Sequence, residues 1–290
     1  MNEAKRVAVF TNNKRGPDYS YLRKTVYTLL AAGAEVLADM RYRSCLGESR
    51  NGVKLCSYTE EMLAGADVAV VLGGDGSILE ICEKTAAHNL PVFGINLGHL
   101  GYLTTIEKDD ISKLSELVSG NYTVDERMMI DVRIIDKNVL HELRALNDVV
   151  IASGTRARIG CFSVKCDKNR AIGIKGDGVV IATPTGSTAY SLSAGGPVID
   201  TRAELFCITP IAPHSLASRP IVVTADSVIT ASGCTLAPQT DIYIAADGRK
   251  GVSVSEHAMV EIKRSPLKTR LCRIGDDGFF DILTKKMHSI

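Results

Sequence analysis

The 290-residue sequence predicts two domains of different construction, an α/β domain first and an all-β domain after it. Up to about residue 120, short apolar runs alternate with segments of helical periodicity, the pattern of a parallel sheet covered by helices. After about residue 122, runs rich in Val and Ile follow one another at short intervals. They alternate in polarity and are punctuated by Gly, Asp and Asn, as in a β-sandwich or barrel-like domain. The last stretch, LCRIGDDGFFDILTKKM, departs from that pattern again and points to a return to the first domain. The expected division is 1–124, with 267–290 packing back on it, and 125–266.

Taken in order, RVAVF (6–10) suits a buried strand. YLRKTVYTLLAAG follows with Leu22, Val26, Leu29 and Leu30 at helical spacing and Gly33 as a stop. AEVLADM reads as the next strand. DVAVVL (67–72) is a continuous apolar run that enters a glycine cluster, and ILEICEKTAAH reads as the helix after it. PVFGINL is a further strand. In DDISKLSELVSG, Asp109 or Asp110 is placed to cap a helix whose Ile111, Leu114, Leu117 and Val118 share a face, with Gly120 ending it. The β-type runs are MMIDVRII, DVVIAS, FSVKCD, AIGIKGDGVVIAT, IVVTADSVITAS, DIYIAADG, GVSVSE and MVEIKR.

Composition narrows the function classes. Apolar residues make up 45% of the chain and its formal net charge is +1, so bulk electrostatics selects no partner and a nucleic-acid role is not expected. Met1–Arg6 is polar, no apolar stretch approaches the ~18–20 residues of a membrane span, and a cytoplasmic protein without membrane attachment is expected. The eight cysteines show no CxxC pair. Cys161 and Cys166 could form half of a metal site, but no second half follows, and reduced thiols are expected.

Three segments carry chemistry. In VLGGDGSIL (71–79) a buried strand delivers Gly73, Gly74, Asp75, Gly76 and Ser77, and a helix starts at once. Glycines let phosphate approach main-chain N–H groups, and the helix start adds unpaired N–H groups. A carboxylate inside a phosphate cradle makes sense if it takes a proton from an attacking hydroxyl or helps hold Mg²⁺. The plainer reading is a βα turn with Asp75 as helix cap. No Lys-Ser/Thr pair follows, so this is not a Walker A loop. In GDGVVIATPTGSTAYSLSAGGPV (176–198) the density of Thr, Ser and Gly suits hydrogen bonding to a ribose or base edge, and the face of Tyr190 can pack on a planar ring. The alternative is a long polar loop or short helix joining strands. In LNDVVIAS (146–153), Asn147 and Asp148 can grip vicinal ribose hydroxyls, or form a simple turn pair. Lys175 and Asp177 in IKGDG are a weaker candidate patch, His99 lies after a strand, and His214 reads as structural. No GxSxG elbow supports a serine nucleophile.

Together, GGDGSIL (73–79), LNDVV (146–150), GDGVVIATPTGSTAYSLSAGGP (176–197) and ITPIAPHSLASRPIV (208–222) resemble the NAD kinase family in order and spacing over nearly the whole chain. GGDG alone also occurs in 6-phosphofructokinases and lipid kinases; TPTGSTAYSLSAGGP is far more specific. The resemblance implies a Rossmann-like α/β domain and an all-β domain with NAD bound between them. It implies ATP or polyphosphate as donor, Mg²⁺ or another divalent cation with that donor, and a homodimer or homotetramer. Asp75 would be the base acting on the adenosine 2′-hydroxyl, with Gly76 lining its loop. Asn147 and Asp148 would contact the dinucleotide, and Lys175 and Asp177 would lie near its nicotinamide end. Thr188, Ala189, Tyr190, Ser191, Leu192 and Ser193 would hold the adenine half. Ala212 and Arg158 occupy positions that often touch ligand. Two departures stand out: Arg249 where the family commonly has Gln, which puts that contact in doubt, and Ser77 for the usual Thr. A lipid kinase on the same loop, or a dinucleotide sensor without catalysis, are the competing readings. NAD-dependent redox chemistry is disfavoured because no GxGxxG opens a helix.

Overall fold

The computed structural model describes all residues except 1–4, 12–18, 47–51, 58, 99–100, 155–159, 236–240, 276–277 and 288–290. The chain divides into two compact units, Met1–Glu126 with Thr269–Ile290, and Arg127–Lys268.

The first unit is built on β1 (Arg6–Thr11), α1 (Ser20–Ala31), β2 (Glu35–Asp39), α2 (Arg43–Leu46), β3 (Val53–Cys56), α3 (Thr59–Ala64), β4 (Val68–Leu72), α4 (Asp75–Ala87), β5 (Val92–Asn96), β6 (Ile106–Glu107) and α5 (Leu114–Ser119). Its strands pair in parallel in the order β3-β2-β1-β4-β5, with β6 beside β5. Side chains alternate across this sheet. Val7, Val9, Val36, Val68 and Val70 join the cluster that α1 and α5 cover with Leu22, Val26, Leu29, Leu114 and Leu117. Ala8 and Leu37 face the other way, onto Met62 of α3. Both faces are apolar, hence the near-continuous hydrophobic runs. The order reverses between β1 and β4, and β4 runs into the glycine loop; ligands of open α/β sheets collect at the carboxyl ends of strands beside such a reversal.

Two local expectations change. The predicted helix over DDISKLSELVSG starts only at Leu114. The residues before it, Lys108–Lys113, form a 3₁₀ turn whose N-cap position is Glu107, and Asp110 is non-helical. Gly120 does end the helix, in the left-handed conformation at φ 83°. The strand β3 was not foreseen, because VKLC is too short and mixed to show alternation.

The second unit contains β7 (Thr123–Asp136, entering from the first), β8 (Val139–Ala145), β9 (Asp148–Ser153), β10 (Gly160–Cys166), β11 (Ile172–Gly176), β12 (Gly178–Ala182), α6 (Tyr190–Ser193), β13 (Leu205–Ile211), β14 (Ile221–Thr224), β15 (Ile229–Thr235), β16 (Ile242–Ala246), β17 (Val252–Val254) and β18 (Met259–Arg273, leaving it). One antiparallel sheet has the order β14-β13-β12-β9-β16-β17. A second set, β11-β10-β15-β18, is also antiparallel. Val149, Ile151, Val179, Ile181 and Ile244 of the first meet Phe162, Val164, Ile229 and Ile262 of the second in one core, which makes the unit a β-sandwich. β18 then runs on, pairs Leu271 with Val92 of β5, and leads to α7 (Phe279–Met287).

Candidate functional site

In the first unit the glycine loop is shaped by backbone bonds. Gly73, at φ 150°, donates its N–H to the Ile95 carbonyl at 2.9 Å, and a Cβ there would overlap the Ser77 hydroxyl. Ser77 N–H donates to the Gly74 carbonyl at 2.9 Å. Gly74 is the N-cap residue of α4, so Asp75 and Gly76 lie in the first turn, where main-chain N–H groups have no helical partner. Asp75 is therefore not the cap. Its carboxylate accepts the N–H groups of Tyr102 at 2.8 Å and Leu103 at 3.0 Å, which fixes its direction while leaving lone pairs unused.

The segment that aims Asp75 is itself fixed from the far end of the chain. Arg273 donates to the carbonyls of Thr104 at 2.9 Å and Tyr102 at 3.2 Å. The Thr105 hydroxyl donates to the Cys272 carbonyl at 2.8 Å. Gly101 has no room for a Cβ because Asp75 Oδ1 occupies that space. Tyr102, Arg273 and Lys286, whose Nζ lies 4.0 Å from Asp75 Oδ2, are residues that sequence reasoning missed. Their separation in sequence gave no signal.

In the second unit, Asp247 organises the Asn147–Asp148 turn. Its left-handed backbone, at φ 51°, turns the carboxylate onto the N–H groups of Leu146, Asn147 and Asp148 at 2.8, 2.7 and 3.2 Å. Thr183 donates its N–H to the Asn147 carbonyl at 2.8 Å and its hydroxyl to the Leu146 carbonyl at 2.7 Å. The side-chain oxygen of Asn147 is buried with no hydrogen-bond partner, an acceptor whose desolvation is uncompensated until a donor arrives. Asp148 is 4% exposed. Burial pushes its carboxyl up to about 7, Asp247 adds to the rise, and the Tyr190 N–H opposes it. Burial raises Asp247 as well, against its three N–H donors and Arg249.

The hydroxyl-rich segment is no open loop. It forms a 3₁₀ turn at Thr185–Thr188, then α6. Thr188 returns its hydroxyl to the Thr185 carbonyl at 3.2 Å, and Ala189 is the joint before α6. Ser191 is buried against the Thr209 hydroxyl at 2.9 Å, so its side chain serves the core. Tyr190, Leu192 and Ser193 are exposed. Arg249 binds the carbonyls of Arg144 and, at 3.4 Å, Ala246. Its guanidinium supports the Asp247 turn from its own chain.

Asn147, Asp148, the 183–193 segment and Arg249 thus come together; Lys175, Asp177 and Ala212 do not join them. β12 pairs Ala182 with Asp148 and Gly178 with Ala152, so Asp177 precedes the opposite end of a strand spanning roughly 16 Å. There Asp177 and Lys175 are exposed, and Ala212 takes a left-handed φ of 43°. Beside them lies a cavity of ≈ 640 Å³ whose lining includes Cys161, Phe162, Ile174, Lys175, Pro210 and His214, which gives His214 a place the sequence had not suggested. Arg158 and His99 lie outside the described residues. Cys161 and Cys166 sit five positions apart on β10, hence on opposite faces, which rules out the half-site. Among the described residues no cluster of three or more His, Cys, Asp or Glu could hold a metal.

The ATP-NAD kinase N-terminal domain matches residues 11–122 and the ATP-NAD kinase C-terminal domain residues 146–274. The chain belongs to the NAD kinase family. An NAD kinase of Thermoanaerobacter sp. (strain X514) is 35% identical, covering 98% of this chain and 99% of the relative. The NAD kinase of Caldanaerobacter subterraneus subsp. tengcongensis is 36% identical over 98% and 99%. Among solved structures, the yeast NADH kinase complexed with NADH superposes with a TM-score of 0.86 at 21% identity, covering 99% of this chain and 88% of that one, a likeness of fold. An NAD kinase from Archaeoglobus fulgidus in complex with ATP gives 0.72 at 27% identity, covering 98% and 99%. The NAD kinase family carries the expected fold class, a parallel α/β domain and an all-β sandwich. Membership in it sets the lipid-kinase reading aside. Among the described residues no helix is long and apolar enough to cross a membrane.

Proposed function

We propose that this member of the NAD kinase family transfers a phosphoryl group from ATP or polyphosphate to the 2′-hydroxyl of the adenosine ribose of NAD, and that Asp75 is the base. The observation that carries the assignment is the Asp75 carboxylate, held by two backbone N–H groups at the mouth of a glycine loop. A ribose hydroxyl is a poor nucleophile near neutral pH. Asp75 accepts its proton as the oxygen bonds to phosphorus and the bond to the leaving phosphate breaks. The first-turn N–H group at Gly76, next to the Gly74 N-cap, suits a phosphate oxygen. Asn147, with its unpartnered oxygen, and Asp148 suit ribose hydroxyl donors, while exposed Tyr190 and Leu192 offer apolar surface to the adenine.

Asp75 retains unused lone pairs but stands without a cluster of further acidic ligands among the described residues. Such a set fits a Mg²⁺ that arrives on the donor's phosphates, as Mg²⁺ usually does, rather than a resident ion. Bound there, Mg²⁺ would neutralise charge on the phosphate oxygens. We further propose a cytoplasmic homodimer or homotetramer in which the Lys175–Asp177–Ala212 group of one copy meets the nicotinamide end of NAD held by another, since that group stands apart from Asp148 along β12.

Incubation with ATP, Mg²⁺ and NAD is expected to yield NADP. Asp75→Ala should lower kcat by at least about a hundredfold while NAD affinity, read by calorimetry, changes little. Turnover retained in Asp75→Ala would remove this residue from the role. NAD binding without NADP from any donor would favour the sensor.

A further inference from the structure

The faces of a β-sandwich bury each other, but the terminal strands leave the space between the two sheets open at their edges. In the second unit β14 ends one sheet and β11 ends the other run. The cavity of ≈ 640 Å³ lies at this edge, lined from β10, β11, β13, β14 and the connection between β13 and β14. Phe162, Ile174 and Ile208 line it and also belong to the sandwich core, so the cavity opens onto the core itself. Ile172, a further lining residue, is 45% exposed and marks the open side.

The charged lining has one sign. Among the described residues no Asp or Glu lines the cavity, whereas Lys175, His214 and Arg219 do, and all three are exposed. The His214 N–H donates to the Lys175 carbonyl at 2.9 Å, which ties the β13–β14 connection to β11. Neither side chain has a hydrogen bond or ion pair among the described residues. Arg219 donates to the carbonyls of Leu216 and, at 3.0 Å, Ser218, so its charge meets no carboxylate. Positive charge at the mouth of an apolar cavity is focused by the low-dielectric walls and selects an anion. The apolar depth favours a chain over a compact ion. Packed sheets stand about 10 Å apart, which leaves room for one layer of side chains or for an alkyl chain in their place. Two copies apposed through this face would set their basic rims together, a like-charge contact that disfavours self-docking.

We propose that this cavity binds a medium-chain fatty carboxylate, its alkyl chain between the sheets and its carboxylate at Lys175, His214 and Arg219. The proposal does not rest on the phosphotransferase reading, and its test reads binding rather than turnover.

Calorimetry of the full chain with hexanoate, octanoate and decanoate should show saturable binding that tightens about threefold to fourfold per methylene. Decyltrimethylammonium and decanol should bind more weakly than decanoate by about tenfold or more. Lys175 is left unaltered because the reading above sets it near NAD. Arg219→Gln should weaken decanoate by about threefold to tenfold. Ile172→Glu, which places a carboxylate at an exposed lining position, should weaken it by about tenfold or more, with NAD affinity unchanged in both variants. Where Ile172→Glu lowers the Tm, Arg219→Gln decides. No saturable decanoate binding, equal affinity for the three chain lengths, or equal affinity for decyltrimethylammonium would overturn the proposal. So would wild-type decanoate affinity in Arg219→Gln, or in a folded Ile172→Glu. Absent decanoate binding together with a smaller oligomer in Ile172→Glu, read by sedimentation, would overturn it in favour of a second copy covering the cavity.

Discussion

At the scale of single residues, the burial of Asp148 has a consequence for pH. Its carboxyl rises from the ordinary 3.8 to about 7, so the folded chain keeps this proton over a range in which the unfolded chain has lost it. The contribution to stability is fully present below about pH 3.8, declines as the unfolded chain ionises, and is gone once pH has passed about 7. A shift of this size corresponds to about 4 kcal/mol. Asp148→Asn keeps an acceptor for the Tyr190 N–H and abolishes the titration. Denaturant unfolding should therefore show the variant gaining on wild type as pH rises from 4 to 8, with no gain below 4. Ribose hydroxyls donating to Asp148 favour its ionised form, so NAD binding near pH 6 should release a proton from wild type and none from Asp148→Asn. Calorimetry in two buffers of different ionisation enthalpy measures that difference; equal proton release in both proteins would take Asp148 out of the ribose contact.

Between elements, the turn before β9 and the 3₁₀ turn after β12 are locked by main-chain contacts with no space between them. Gly186 donates its N–H to the Thr183 hydroxyl at 3.1 Å, and a Cβ on it would overlap the Asn147 carbonyl oxygen. Because that neighbour is backbone, it cannot rotate away. Gly186→Ala should cost about 1–3 kcal/mol of stability by overpacking and weaken NAD binding while the domain still folds, checked by thermal unfolding and NAD titration. An unchanged Tm and affinity would show that the Asn147 turn moves freely. The sequence made the parts of this arrangement visible, since Asn-Asp before an apolar run and a Thr/Ser/Gly stretch after another each stand out locally. It could not show that Asp247, about a hundred positions away, donates no chemistry but accepts three N–H groups to aim that turn. Nor could it show that the Ser191 hydroxyl points into the core. Periodicity reports which face of an element is apolar; it carries no information about partners brought close by β-sheet register or by a returning C-terminal segment. The same limit hid Lys286 and Arg273, although the tail that bears them announced its change of character.

For the whole molecule, the alternation of strands and helices followed by dense β-runs was enough for the fold class, because burial on both faces of one sheet and one face of each of two others writes distinct patterns. The assembly leaves no such pattern, and the register of β12 supplies the clue instead. Asp148 of β9 pairs with Ala182 at one end of that strand and Asp177 immediately precedes Gly178 at the other, yet both sit in motifs of a single dinucleotide-binding family. If a neighbouring copy completes each site, Asp148→Ala and Asp177→Ala damage different halves of a shared site, and a mixed oligomer contains sites made from the two intact halves. In a dimer mixed one to one, half of the molecules are hybrids, each with one undamaged site of two, so activity should return to about a quarter of wild type. The assay is NADP formation at NAD well below KM, after the two variants are unfolded and refolded together. Activity no greater than the mean of the separate variants would mean that one copy supplies both groups, with NAD stretched along the strand between them.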